Sequence, residues 1–270
     1  SANPRPAPGY DAPQVRWSRI PEELYPTNYV ADSTIEFLEE RARDPDAAPF
    51  FVQCSFPDPH HPFTPPGKYF HMYDPADIRL PASFHHRPHD QSPALRKMHE
   101  EFELGVANRE WVAPYAVDES EARQITAVTY GMISLVDDAV GRVLARLSEL
   151  GMADDTVVIF TSDHGDWMGD HGIMLKGPLH YQGLVRVPFI WSDPTPGTGT
   201  RDDLSSSLDL GPTILRRANI TAPHGTQGLA LFDEQGTMQP SQREGVLIEE
   251  SQQRAYVGFD TPVQVRTLVT

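Results

Sequence analysis

Cysteine is nearly absent from this 270-residue chain, Cys54 being the single example. An intrachain disulfide framework and a cysteine-rich zinc site are therefore both excluded. Positive charge is scarce too: 22 Lys and Arg stand against 38 Asp and Glu, for a formal net charge of −16. That balance argues against tracking nucleic-acid phosphates and against docking on an anionic membrane surface. No run is long or apolar enough to span a bilayer. Such a chain can handle an anionic substrate only by concentrating positive charge locally, through a metal, Lys, Arg or His.

Proline is plentiful, with 26 residues, beside a hydrophobic content of 39%. The chain can bury a real core yet must contain much irregular backbone, and its length suits one α/β domain or two small ones. Residues 1–26, SANPRPAPGYDAPQVRWSRIPEELYP, read as an irregular Pro-rich arm. From Thr27 to Arg43 the spacing predicts a helix, with Tyr29, Val30, Phe37 and Leu38 on one face and Asp44-Pro45 as its stop. PFFVQCSF (49–56) is a continuous apolar run, the mark of a strand buried on both faces.

Residues 63–120 are loop-rich, with one helix expected over 92–105. The strongest helix starts at Glu121 and carries Ile125, Val128, Met132, Leu135, Val143 and Leu147 at helical spacing, with Gly151 as its C′ residue. Strands are expected over 156–161 and 184–191, a helix at SSSLDLGPTILRRANI, and late strands at GVLIEE, AYVGF and VQVRTLVT. Alternating helices and apolar strands predict a mostly parallel sheet covered on both faces. The main α/β body is expected over 27–245, with 246–270 as late strands leading onward.

In open parallel sheets, ligands bind beyond the carboxyl ends of the strands. Two such ends carry His and Asp: PDPHHPF after 49–56, and SDHGDWMGDHG after 156–161. Adjacent Asp163 and His164 can offer one carboxylate oxygen and one imidazole nitrogen to a divalent cation. The tripeptide Asp-His-Gly is weak evidence by itself, since Asp170-His171-Gly172 repeats it seven residues on. Solvation accounts for Asp137 and Asp138, and a polar lid loop accounts for His85, His86 and His89 better than a second metal cluster. Trp167 and Met168 either line a pocket or cover the loop. Tyr130 and Met132 are expected in the core.

The longer context is more telling. SFPDPHHPFTPP followed by TSDHGDWMGDHGIMLKG, with YGMISLVDDAVGRVL, VRVPFIW and SSLDLGPTIL around them, resembles the sulfatase family of the alkaline-phosphatase-like fold from about Tyr25 onward. The resemblance implies a three-layer α/β/α architecture with a mostly parallel sheet, here incomplete at both ends. It places metal ligation on Asp163 and His164 and contact with the sulfate and bridging oxygen on Lys176. His60 of the Pro-His-x-Pro segment is implied to hydrogen-bond the sulfate or leaving oxygen. His61, at the variable position, and His180, in LKGPLHY, are candidates for substrate binding. A divalent cation is implied, calcium before manganese, together with a formylglycine nucleophile and a small-molecule or carbohydrate sulfate ester as substrate.

Two family elements are missing. No paired acidic residues open the chain on a strand, and no Cys or Ser sits in the Cys/Ser-x-Pro-x-Arg setting from which formylglycine arises. Cys54, followed by SFPDP, reads as a core cysteine. The expectation is a fragment that begins after the nucleophile, stops near the family's smaller C-terminal sheet domain, and is inactive alone. The alternatives are a phosphonate monoester or phosphodiester hydrolase of the same superfamily, and a non-catalytic binding module on this fold.

Overall fold

The computed structural model describes residues 5–44, 46, 48–87, 91–195, 199–200, 202–241, 243–255 and 260–270. His89 and residues 256–259 of the expected AYVGF strand lie outside them. In chain order the elements are β1 (Arg5–Pro6), β2 (Arg16–Trp17), α1 (Pro26–Arg43), α2 (Pro93–Glu103), β3 (Tyr115–Ala116), α3 (Glu119–Glu149) and β4 (Val158–Thr161). There follow β5 (Ile173–Met174), α4 (Gln182–Val185), β6 (Phe189–Ser192), α5 (Leu210–Arg217), β7 (Val246–Ala255) and β8 (Pro262–Val269). The chain divides into two units. The first includes Ser1–Asp154 and Asp166–Gly177; the second comprises Asp155–Gly165, Pro178–Tyr256 and Asp260–Thr270. Among the described residues no helix is long and apolar enough to cross a membrane.

The first unit is organised by α3. Asp118 caps it, accepting from the Glu121 N–H at 2.8 Å while the Glu121 carboxylate accepts from the Asp118 N–H at 3.1 Å. This reciprocal pair satisfies two of the donors that every helix start leaves open. Leu150 closes the helix and Gly151 follows at φ +70°, the left-handed C′ residue expected from the sequence. Ile125, Val128 and Met132 are fully buried among Phe63, Phe70, Phe84, Tyr115, Met174 and Leu175. The Pro-rich arm carries β1 and β2, and it places Ala7, Ala12 and Val15 in that same cluster.

Helix α1 packs on α3 through Thr27, Ala31, Thr34 and Leu38. Tyr29, expected on the packed face, is exposed. Small side chains at four- and three-residue spacing let two helices approach, whereas the larger aromatic sits on the flank. Tyr130 is likewise exposed while Met132 is buried, since two residues of offset turn about 200° around a helix and face opposite sides. Asp137 and Asp138 are exposed, and Asp138 accepts from the Tyr69 hydroxyl at 2.6 Å. Gly131 faces the Tyr69 carbonyl so closely that an added Cβ would lie 1.9 Å from its oxygen.

The parallel sheet is not what forms. Among the described residues all four sheets are two-stranded and antiparallel: β1 with β2, β3 with β5, β4 with β6, and β7 with β8. Val15 and Phe63 make an isolated parallel bridge. The link from β4 to β6 holds the crowded loop, β5 and the four-residue α4, not the crossover helix a parallel neighbour needs. The expected strand 184–191 accordingly splits into α4 and β6, with Pro188 between them. Among the described residues, 49–56 have no ladder partner, Phe51 and Val52 are exposed and Cys54 is half-buried, so the buried strand and core cysteine expected there are corrected. An apolar run reports a demand for cover, not that cover is in place.

In the second unit, β4 pairs with β6 from Val158↔Ser192 to Thr161↔Phe189, and β7 with β8 from Val246↔Val269 onward. Asp209, fully buried at the start of α5, accepts both guanidinium donors of Arg243 at 2.6 and 2.7 Å. It also accepts the backbone N–H groups of Ser206 and Leu229, both at 2.8 Å. These contacts supply the partners that a buried carboxylate requires.

Candidate active site

The segment after residue 56 turns on a hydrogen bond from the His60 N–H to the Pro57 carbonyl at 3.1 Å. At its far end Phe63, 2% exposed, sinks into the core. Its N–H donates to the Gln14 carbonyl at 3.0 Å and its carbonyl accepts from the Arg16 N–H at 3.1 Å. At the near end Asp58 accepts from the Thr27 hydroxyl and, at 3.4 Å, from that of Tyr25, tying the loop to the start of α1. Burial pushes the Asp58 carboxyl above its usual range, against the pull of those two donors. The Tyr25 phenol is pushed up to about 12, by burial first and by Asp58 second.

The loop, held at both ends, presents two histidines. His60 is exposed and His61 only 8% so, and their rings stack with centroids 4.0 Å apart. His60 Nδ1 lies 2.6 Å from the His61 carbonyl oxygen; because a carbonyl only accepts, Nδ1 carries the hydrogen. Burial, then the neighbouring His60 and Lys176, pull His61 down to about 4, so its imidazole is neutral at pH 7.

Lys176 follows β5, whose Ile173 and Met174 pair with Ala116 and Tyr115 of β3. The approach to it is strained: Met168, His171 and Leu175 hold φ values of 45°, 53° and 69°. Non-glycine residues in this region cost on the order of 1–3 kcal/mol each and persist where surrounding contacts enforce them. Here the Trp167 N–H donates to the Leu175 carbonyl and the Gly169 N–H to the Ile173 carbonyl, both at 2.9 Å. Trp167 is 2% exposed and Met168 packs on the core, so both cover the loop. The second Asp-His-Gly is a turn support. Asp170 accepts from the Ser83 hydroxyl, and His171 Nδ1 donates to the His86 carbonyl at 2.8 Å. His85 pairs with Glu119 at 3.0 Å.

In the second unit, β4 delivers Asp163 and His164 to the surface, their side chains 83% and 42% exposed. His164 Nδ1 donates to the Gly165 carbonyl at 2.8 Å, which leaves the Nε2 lone pair available. That nitrogen lies 3.4 Å from Asp163 Oδ2. Two donor atoms at this spacing can share one cation whose bonds are about 2.0–2.6 Å, and a carbonyl on the far nitrogen is how ligating imidazoles are oriented. The pair therefore fits as two ligands of a divalent ion. Among the described residues no group of three or more His, Cys, Asp or Glu is placed to hold one. The turn behind the pair is docked on α4: the Gly165 N–H donates to the Leu184 carbonyl at 2.8 Å, and a Cβ on Gly165 would sit 1.9 Å from the Gly183 oxygen. His180 is half-buried, with Nδ1 2.9 Å from the Thr267 hydroxyl on β8.

The expected site residues thus fall into two groups: His60, His61 and Lys176 in the first unit, and Asp163, His164 and His180 in the second. The family model described as Sulfatase matches residues 5–220. The chain belongs to the sulfatase family. It is 36% identical over 217 residues to an arylsulfatase of Clostridium perfringens, a match covering 78% of this chain and 42% of that protein. It is 31% identical over 222 residues to the multifunctional alkaline phosphatase superfamily protein PehA of Trinickia caryophylli, covering 80% of this chain and 42% of that one. The crystal structure of the phosphonate monoester hydrolase of Agrobacterium radiobacter superposes with a TM-score of 0.71 at 26% identity, covering 90% of this chain and 49% of that chain. The chain thus has the alkaline-phosphatase-like sulfatase fold and spans less than half the length of these proteins.

Sequence reasoning about a sulfatase-family chain missed two supporting residues. Asp58 was legible only as part of a Pro-rich linker, although a carboxylate wedged between prolines just ahead of two histidines is a signal. Thr267, 87 positions from His180, left no local trace at all.

Proposed function

We propose that the protein is a sulfuric ester hydrolase acting with a divalent cation held in part by Asp163 and His164. The observation that carries this reading is the orientation of His164: its Nδ1 is committed to Gly165, and its Nε2 stands beside Asp163 Oδ2. Strained backbone leading to Lys176 supports it, since such strain gathers at functional sites. In this reading Lys176 sets its ammonium against the anionic oxygens of the ester. His60, with its Nδ1–H committed to the His61 carbonyl, donates to the departing oxygen from Nε2 in its doubly protonated form. His61 and His180, the latter oriented by Thr267, are assigned to substrate binding. The cation, when bound, neutralises charge on the sulfate oxygens. Calcium is the first assignment, and manganese the second because His164 adds a nitrogen ligand. The substrate is a small-molecule or carbohydrate sulfate ester.

Cys54, half-buried and outside the Cys-x-Pro-x-Arg setting, takes no nucleophilic role in this reading. Activity is therefore assigned to the full gene product, and the 270-residue chain alone is expected to be inactive. The test is turnover of an aryl sulfate by the full product, lost on Lys176→Ala. A second reading, phosphonate monoester hydrolysis, is favoured by the Agrobacterium structure. Faster turnover of an aryl phosphonate than of an aryl sulfate selects it. Turnover of neither by metal-loaded protein overturns both and leaves a binding module.

A further inference from the structure

We infer that His61 is a second anion-recognition residue of this site, donating from Nε2 to an oxygen of the same oxyanion that Lys176 contacts. The inference rests on the anion-handling role proposed above for Lys176. It adds a residue at the position the Pro-His-x-Pro segment leaves open.

The first observation is an orphaned atom. His61 Nε2 is buried and has no hydrogen-bond partner, in a residue only 8% exposed. Ring nitrogens of this kind are costly to leave unsatisfied and native proteins seldom do so, so the arrangement calls for a hydrogen-bond partner supplied from outside, which is an acceptor for the tautomer protonated at Nε2. The second observation is that the ring is held in place. It stacks on His60 with centroids 4.0 Å apart at an interplanar angle of 28°, and the loop behind it is pinned by Phe63 and Asp58. It cannot swing out to find water without dismantling that stack.

The third observation concerns charge. The groups acting on His61 are His60 and Lys176, and with burial they keep the imidazole uncharged. A neutral ring can remain beside an ammonium group without repulsion and still donate one N–H. An anion drawn in by Lys176 brings the acceptor that Nε2 lacks. The acceptor class is therefore a tetrahedral oxyanion, sulfate-like or phosphonate-like.

Imidazole nitrogen NMR on this 270-residue chain tests the idea without any mutation. Sodium sulfate is titrated at constant ionic strength, with sodium chloride as the control. The expected result is a saturable shift at His61, with the spectrum of a neutral ring protonated at Nε2. His61→Phe, which keeps the stacked ring and removes the donor, should weaken sulfate binding roughly tenfold, the loss of one hydrogen bond to a charged acceptor. His61→Gln should recover part of it. Sulfate shifting His60 and the Lys176 side chain while His61 stays put, or unchanged binding by His61→Phe, overturns the inference and leaves the Lys176 site standing. Sulfate moving none of the three overturns the inference and the Lys176 assignment together.

Discussion

His164 and Asp163 meet through Nε2 and Oδ2 at 3.4 Å, while the other imidazole nitrogen is committed to the Gly165 carbonyl 2.8 Å away. One carboxylate and one oriented imidazole supply a single formal negative charge. Hard cations usually take about six or more oxygen donors. Calorimetry on the 270-residue chain should therefore find only weak calcium binding. Tight binding would mean that other ligands had been overlooked.

The two Asp-His-Gly copies should separate cleanly by mutation. In the full gene product, Asp163→Ala is expected to remove both bound metal and activity. Asp170→Ala should leave metal content intact, because that carboxylate is taken by the Ser83 hydroxyl, and should lower stability by about 1 kcal/mol. Equal metal loss from both variants would show the ligand assignment to be wrong.

Asp58 makes a pH prediction. Its carboxyl is raised in the folded state by burial, so the folded chain binds that proton more tightly than the unfolded chain does. Its favourable contribution is present in acid and declines as pH rises from the unfolded value of 3.8 through the raised folded value. Asp58→Asn cannot titrate. The stability of wild type relative to this variant should fall across that window and then level off, as read by urea denaturation at a series of pH values. A difference independent of pH would count against a raised carboxyl.

Two glycines of α3 should respond oppositely to alanine. At Gly131 the new Cβ would meet the Tyr69 carbonyl oxygen at 1.9 Å, so Gly131→Ala should cost about 3 kcal/mol. At Gly141 nothing lies within 4 Å, and Gly141→Ala should stabilise by roughly 0.5–1 kcal/mol through helix propensity. Thermal denaturation of the two variants side by side measures this, and similar melting shifts would refute the packing.

Arg243→Met should be among the more damaging changes in the second unit. It strands the Asp209 carboxylate, fully buried, without its two guanidinium donors. Breaking such a pair on one side costs about 3–5 kcal/mol. Denaturant melts read the loss, and an effect below about 1 kcal/mol would mean that water or another donor replaces the arginine.

Helices were the legible part of this fold, because their signals are local. The apolar spacing of α3, its acidic start and Gly151 at its end lie within one stretch of chain. Strand pairing was not legible, since direction and register depend on partners far away: β3 finds β5 across more than fifty residues. The exposed Tyr29 and the buried arm residues Ala12 and Val15 illustrate the same limit. Hydrophobicity says what prefers burial, and only tertiary contacts decide which face is served. In the site, the adjacency of Asp163 and His164 was written in the sequence. The tautomer of His164, the stacking of His61 and the Asp58 anchor were not, because each depends on a carbonyl, a ring or a hydroxyl reached only through the folded backbone.

The contact of Gly165 with the Gly183 carbonyl also governs how this protein can be re-engineered. A randomised library across the loop will return only glycine at 165 unless 183 moves with it. Selection for an altered loop must therefore work on the flanks of the turn and leave its pivot untouched. A natural homologue with a side chain at the equivalent of 165 should show a compensating shift in the backbone of α4. The pivot is in this sense a lock on the register of two segments, set by a residue that carries no chemistry of its own.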